Sequence, residues 1–460
     1  MVQLRRTRGE QVEGDPSARR GATFAALRDP TYRLLWAGGL VSFLAVQMEF
    51  IARGWLAYEL TGSNKGLGAV YLGFGLPMLL LTPWGGVAAD RLSKRNVIMG
   101  CQLALAVSSG SIALAVTFDV ISYWMLIASA VVQGAGFSFL GPARMAFTGE
   151  LVGPTRLSNA IVLQQMSMNG TRIFGPSVAG ALIGIAFFGV GGVYFLTTGL
   201  TLVAMAVTFR LPVGRPAAGR PVRSPVGELA DGLRYVGSRP LLLLLVLTSF
   251  VVVMAAFPYI AFLPALAQNV YGVGASGYGL MSGASAIGAL TASIFIASRA
   301  DGPSVWRIQA VAGCLFAVAV ATLGFAPSFA VALLVIMATG GASSAFQSLN
   351  NALVLSNSDP GYHGRVQSLM MLSFSGFGLA ALPIGIVADA IGIRTTLIGM
   401  GGVALTAMAA YVLLRRRIRR LDAEARPSAE VEVSDEVAFA RAGAVVVPAP
   451  GPAPSVVDQR

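Results

Sequence analysis

Charge is what this chain has least of. Only 12% of its 460 residues are Asp, Glu, Lys or Arg, against about 25% in soluble domains, while 55% are hydrophobic. A soluble core does not absorb that much apolar surface, so the composition specifies a polytopic membrane protein. Cysteine is almost missing. Cys101 and Cys314 lie far apart within hydrophobic runs and without ligand spacing, and they read as small buried residues rather than a metal or redox pair. The sole histidine, His363, falls in a loop. No Ser/His/Asp or His/Glu grouping occurs at useful spacing, and no G-x-x-x-x-G-K-[ST] loop is present, which excludes direct drive by ATP. An enzyme is not expected, nor a cofactor or metal.

Acid is scarcer than base, 21 residues against 33, for a net charge of +12. A nucleic-acid partner would account for the excess, but its distribution argues otherwise. Of the 33 Lys and Arg, 29 fall in the amino-terminal tail, the even-numbered loops or the carboxy-terminal tail. Lys65 and Arg394 fall in odd-numbered loops, and Arg53 and Arg172 inside hydrophobic runs. This is the positive-inside pattern of a multi-pass cell-membrane protein with both termini cytoplasmic. The first 30 residues carry Arg5, Arg6, Arg8, Arg19, Arg20 and Arg28 without an apolar core, so they read as a tail and not as a cleavable signal peptide.

Runs long enough to span a bilayer, about 20 residues each, lie near 33–60, 66–88, 97–117, 121–142, 159–187, 192–210, 241–267, 277–298, 306–326, 329–354, 366–388 and 395–414. These twelve predict an all-α protein with an amino-terminal tail (1–30), a six-helix bundle (31–211), a linker (212–240), a second six-helix bundle (241–415) and a tail (416–460). The linker opens as a basic, Pro-rich flexible segment. Apolar residues at 226, 229, 230, 233 and 236 then mark a short amphipathic helix on the cytoplasmic membrane face. The last tail is Pro-, Ala- and Glu-rich without periodicity and is expected to be disordered. Gly86-x-x-x-Asp90 in the first half has a faint counterpart, Ala297-x-x-x-Asp301, in the second. Pro154 with Gly175-Pro176 is likewise echoed by Pro360 with Leu382-Pro383, so the halves read as a six-plus-six duplication.

The loop Gly86…Asp90-Arg91…Lys94-Arg95 resembles the G-x-x-x-D-[RK]-x-G-[RK]-[RK] signature of the major facilitator superfamily, with Ser93 where that family has a second Gly. Leu35-Trp36, Gly54-Trp55, Glu150-Leu151, Asn159-Ala160 and Gly364-Arg365 extend the likeness over roughly 24–415, toward the branch with the enterobactin exporter and macrolide efflux proteins. The resemblance implies two pseudo-symmetric six-helix bundles around a central cavity. It also implies alternating access and outward transport of a small drug, macrolide or siderophore-like molecule in exchange for protons. Importer or facilitator activity from the same fold remains open, as does a non-transporting sensor working through the tail. A monomer is expected.

Candidate site residues follow. Gly170, Gly175, Pro176 and Gly180 resemble the family's antiporter motif, implying a fifth helix at the interface between halves; ordinary packing glycines are the alternative. Glu49 and Arg53 share a helix face at i, i+4, and Arg172 falls at similar depth. Charges there are costly and normally pair or line an aqueous cavity. Glu49 is the candidate proton carrier, with Arg53 or Arg172 as partner, and the alternative is a static ion pair joining the first and fifth helices. The resemblance also brings a departure: the Arg that proton-driven relatives often carry before a Gln-Gly pair is Ala130 here, before Gln133-Gly134. The loop residues Gly86, Asp90, Arg91, Lys94 and Arg95 read as a cytoplasmic latch, with Gly86 permitting close approach to the eleventh helix. Gln47, Gln133, Gln164, Gln165, Asn169, Gln347, Asn350 and Asn351 are candidates for the cavity wall, or for interhelical glue.

Overall fold

The computed structural model describes residues 25–185, 187–213, 225–297, 304–359 and 362–442. The expected echo at Asp301, Pro360 and the side chains of Asp90, Gln165 and Asn169 lie outside the described residues. The chain divides into two compact units, Met1–Tyr411 and Val412–Arg460.

The first unit is a bundle of long helices: α1 (Pro30–Thr61), α2 (Asn64–Arg91), α3 (Lys94–Thr117), α4 (Tyr123–Gly153), α5 (154–183) and α6 (Gly189–Phe209). A linker helix α7 (Pro225–Gly237) precedes α8 (Pro240–Ala255), α9 (Gly274–Ala297), α10 (Val305–Phe325), α11 (Phe329–Ser356), α12 (His363–Ile391) and α13 (Ile393–Ala442). Among the described residues, eleven helices are long and apolar enough to cross a membrane, rather than the twelve expected. The fifth run falls in α5, which continues α4 without a connecting loop. The two are separated only by a break at Gly153 (φ 69°, ψ 174°), a backbone conformation that L side chains rarely adopt.

Local signals set the helix ends. Asp29 caps α1 by accepting from Thr31 N (2.8 Å) and Tyr32 N (3.0 Å), with Pro30 at the first helical position. Gly62 ends it in the left-handed region (φ 59°). Ser93, the residue that departs from the family signature, accepts from Asn96 N (3.3 Å) and so caps α3. Beyond Ala255 the seventh span continues as a 3-10 turn (Phe257–Phe262) and a π turn (Leu266–Val270). Irregular backbone at membrane depth requires cover from neighbouring protein, and Tyr259, Phe262, Leu263 and Leu266 are buried there.

In the first half α2 packs on α4, α1 on α4 and α6, and α3 on α6. The second half repeats the pattern with α9 on α11 and α10 on α11. The two most extensive contacts between the halves, α2 with α12 and α5 with α9, exchange under the duplication. α7 packs on α12, with Gly232 against Arg365 and Leu369, so its small-residue face meets protein. In the second unit, α13 runs on to Ala442, where a disordered tail was expected. Ala, Glu and Arg are good helix formers, no glycine occurs between Gly402 and Gly443, and Pro427 alone opposes the helix.

Candidate functional site

The helix face carrying Glu49 and Arg53 turns into the first half, against α3 and α4. Arg53 donates to Glu49 Oε1, to Ser129 Oγ (3.1 Å) and to Gln133 Oε1, while Ser109 Oγ donates to Glu49 Oε2 (2.7 Å). All five side chains are buried, Glu49 at 5% exposure and Arg53 at 3%. Glu49 is the one buried carboxylate among the described residues. Both its oxygens are engaged, so the pair is a closed network across three helices rather than an isolated contact.

Around this network Arg53 Nε and Gln133 Nε2 are buried without a partner among the described residues, while the Tyr194 hydroxyl lies beside Arg53 and the Tyr71 and Tyr278 hydroxyls lie beside each other. Tyr71 Oη (α2) and Tyr278 Oη (α9) converge on Gly54, 2.9 and 3.2 Å from where its Cβ would be. Tyr278 belongs to the second half, so α9 reaches to within one residue of Arg53. Trp55 stacks on the same Tyr278 ring, centroids 6.3 Å apart.

Arg172 takes no part in this network. Its side chain is exposed, and Arg53 already holds the Glu49 oxygen it was expected to compete for. The pair thus bridges α1 to α3 and α4, not to α5. Gln133, expected in the cavity wall or as interhelical glue, accepts from Arg53 and so ties α4 to α1.

The antiporter-like residues divide. A Cβ at Gly175 would be 2.6 Å from Gln47 Cβ of α1, one at Gly180 would fall directly against Gly279 Cα of α9, and one at Gly170 would meet nothing within 4 Å. The other junction is equally tight: a Cβ at Gly75 would be 2.8 Å from Gly378 Cα, and one at Gly68 would be 2.6 Å from Leu382 Cα. Asp389 of α12 caps α2, accepting from Asn64 N (2.8 Å), Asn64 Nδ2 (2.9 Å) and Lys65 N (3.0 Å). Among the described residues, these glycine approaches between halves fall from the middle of the bundle to the end that carries the odd-numbered loops.

The loop Gly86–Arg95 was expected to latch the cytoplasmic side through Asp90, whose side chain lies outside the described residues. Gly86 has open space around it, so close approach to the second half occurs instead at Gly68 and Gly75, earlier in the same helix. Lys94 pairs with Glu150 of α4 (3.1 Å). Arg95 donates to Leu211 O (3.1 Å) and lies over the Phe209 ring. Both cations therefore fasten the first half to itself, and Arg91 is exposed.

Of the second-half amides, Asn350 accepts from Gln309 of α10 (3.2 Å), which makes it an interhelical tie. Gln347 Nε2 and Asn351 Oδ1 are buried atoms without partners among the described residues. Arg144 was missed altogether. With the fourth run ending at 142 it fell in a loop, yet α4 continues to Gly153 and Arg144 is 3% exposed inside it.

Residues 21–449 match the family described as transmembrane secretion effector. The chain is 27% identical to an uncharacterized MFS-type transporter, YfiS, of Bacillus subtilis, over 46% of this chain and 53% of that protein, so about half of that relative is spanned. It is 23% identical to the staphyloferrin A transporter of Staphylococcus aureus, over 76% of this chain and 89% of that one. With macrolide efflux protein A of Streptococcus pyogenes the identity is 25% over 84% of this chain and 96% of that one. Among solved structures, a bacterial homolog of the human lysosomal transporter Spinster superposes with TM-score 0.67 at 16% identity, covering 88% of this chain and 98% of that one. That likeness carries the fold alone.

Proposed function

Because the chain belongs to the transmembrane secretion effector family of major facilitator transporters, we propose that it exports small amphipathic molecules across the cell membrane by alternating access, driven by proton entry. The observation that carries this reading is the buried Glu49–Arg53 pair, held between α1, α3 and α4. An ionised pair at that depth is expensive, and intramembrane ionisable groups ordinarily serve ion or substrate movement.

Glu49 takes a proton when the site faces outward and returns it when the site faces the cytoplasm. Neutral Glu49 gives up its charge on Arg53, which then rests on Gln133 and Ser129. Tyr278, against Gly54, connects that change to α9 and hence to the second half. On this reading both termini are cytoplasmic and the glycine-sealed end is the outer one, so cargo loads from the cytoplasmic side. Gln347 and Asn351 supply spare hydrogen-bonding atoms for cargo, and the names of the relatives point to macrolide- or siderophore-sized molecules. The Gly86–Arg95 loop, with Asp90, keeps the first half rigid while it rocks.

Inverted membrane vesicles challenged with a compound panel, with and without a proton gradient, test this. Uptake of at least one compound is expected to require the gradient and to fail in Glu49→Gln, with cargo binding retained. Uptake indifferent to the gradient for every compound overturns the proton-antiport reading.

A further inference from the structure

Two tyrosines from opposite halves meet beside the Glu49–Arg53 pair. Tyr71 of α2 and Tyr278 of α9 are 3% and 0% exposed, and their hydroxyls lie side by side over Gly54. Each is rooted at a different glycine seal. Tyr278 precedes Gly279, whose Cβ would be 2.6 Å from Gly180 Cα, and the Tyr71 carbonyl oxygen lies 2.5 Å from where a Gly378 Cβ would be. The Tyr71 ring also touches both halves, packing on Phe50 of α1 (centroids 5.0 Å apart) and on Phe377 of α12 (5.4 Å).

The hydroxyl pair cannot outlast the seals. α2 and α1 belong to the same half, so Tyr71 stays with Arg53 when the halves part, whereas Tyr278 leaves with α9. A tyrosine hydroxyl has one proton to donate and lone pairs to accept with. Arg53 has a donor to match. Its Nε is buried without a partner among the described residues, and Tyr71 is near enough to feel the guanidinium charge. Tyr194 of α6 also lies beside Arg53, but it belongs to the first half and senses no change at the boundary.

We propose that Tyr71 and Tyr278 are positioning residues for the Glu49–Arg53 site, exchanging hydrogen-bond partners as the halves separate. With the seals closed, Tyr278 occupies the Tyr71 hydroxyl and Arg53 stays on Glu49. With α9 withdrawn, Tyr71 turns its oxygen to the Arg53 Nε–H and competes with Glu49 for the guanidinium, so the carboxylate takes up a proton more readily. Parting of the halves is thereby converted into a change at Glu49, and neither tyrosine ionises. The proposal rests on the export reading for the role of Glu49 as proton carrier, not for the exchange of partners.

The test is the rate at which dicyclohexylcarbodiimide, a reagent for protonated buried carboxyls, labels Glu49. The full-length protein is held in phosphatidylcholine nanodiscs and read by mass spectrometry, with Glu49→Gln as the blank. Tyr278→Phe keeps the ring but frees the Tyr71 hydroxyl for Arg53, and should speed labelling about three- to tenfold, the scale of one redistributed hydrogen bond. Tyr71→Phe removes the competing acceptor and should label no faster than wild type, and the double variant should follow Tyr71→Phe. A merely structural role would loosen the site in both single variants alike, without this dependence of one residue on the other. Faster labelling in both single variants overturns the proposal, as does a double variant as fast as Tyr278→Phe, or a Tyr278→Phe protein no faster than wild type. Tyr278→Leu, which also lacks the hydroxyl, makes the same comparison if the phenylalanine variant does not elute normally. No gradient or cargo enters the measurement. A Glu49→Gln protein that keeps gradient-driven uptake would therefore sink the proton-antiport reading and leave the labelling result standing.

Discussion

Asp389 and Asn64, 325 residues apart in sequence, are joined as cap and helix start: the carboxylate of α12 accepts both the backbone and side-chain N–H of the first residue of α2. With Lys65 N as a third donor, a single side chain closes one end of the boundary between halves. A negative charge at a helix N-terminus is favoured by the exposed N–H groups and the macrodipole.

Asp389→Ala should therefore loosen that end. Losing a charged cap costs about 1–2 kcal/mol, enough to shift a closed-to-open ratio roughly 5–30-fold. A membrane-impermeant maleimide applied to intact cells reads the change at a cysteine placed at Ala381, which is buried in the same boundary. Only Cys101 and Cys314 need removing first. Labelling should rise several-fold; unchanged labelling would mean the cap is decorative.

The glycine seals make the opposite prediction. At Gly75 an added Cβ would be 2.8 Å from Gly378 Cα, a backbone atom that cannot turn aside. Gly75→Leu should thus prevent closure, at the roughly 1–3 kcal/mol that overpacking imposes. Cargo binding should survive while vesicle transport falls about tenfold or more. Gly86→Leu, in open space, should leave transport near wild type. A severe loss at Gly86 with none at Gly75 would restore the gate to the charged loop.

These seals explain what was legible in the sequence and what was not. Hydrophobic runs give the spans, because apolar length is all a bilayer demands. Glu49 and Arg53 stand out by being charged among apolar residues. Their partners Ser109, Ser129 and Gln133 do not, since small polar residues are common in membrane helices for packing alone. Arg144 was hidden by its position just past the apolar run, where a helix end and a loop look alike. Gly153 was the missed signal, since it is the residue that lets α4 pass beyond the apolar stretch and turn into α5. Asp389 and Gln309 depend on which distant helix lies opposite, which no local pattern encodes. At Gly86 no close approach is seen, since a motif records residue types whereas close approach depends on the facing helix.

The linker helix offers a check on which half it travels with. Tyr235 stacks on Tyr362, centroids 3.9 Å apart, and Asp359 receives Arg239 (2.7 Å) while donating its own N–H to Tyr235 Oη (2.7 Å). Such stacking is worth about 0.5–1.5 kcal/mol, and the half-exposed ion pair adds little. Tyr235→Ala should release α7 without unfolding the bundle. Trypsin cleavage after Arg234, an 83% exposed side chain on an intact helix, reports the release. Cleavage should speed up several-fold while overall thermal stability moves by only a few degrees. Equal rates in the two proteins would mean that α7 is held by other contacts.

The buried pair permits a sharper experiment, because its members should fail differently. Arg53→Met leaves Glu49 buried with Ser109 as its only donor, a change of the kind that costs about 3–5 kcal/mol when one partner of a buried pair is removed. Adding Glu49→Gln removes the stranded charge, and Ser109 can still donate to the amide oxygen. The double variant should thus regain most of the stability lost by the single one, measured as the thermal midpoint in detergent. Transport should not follow stability. Glu49→Gln alone keeps a hydrogen-bonding group for Arg53 and should fold, bind cargo and exchange it across vesicles without a gradient, yet lose gradient-driven uptake about a hundredfold. A double variant that regains both stability and gradient-driven uptake would reduce the pair to a strut, and the proton path would have to run elsewhere.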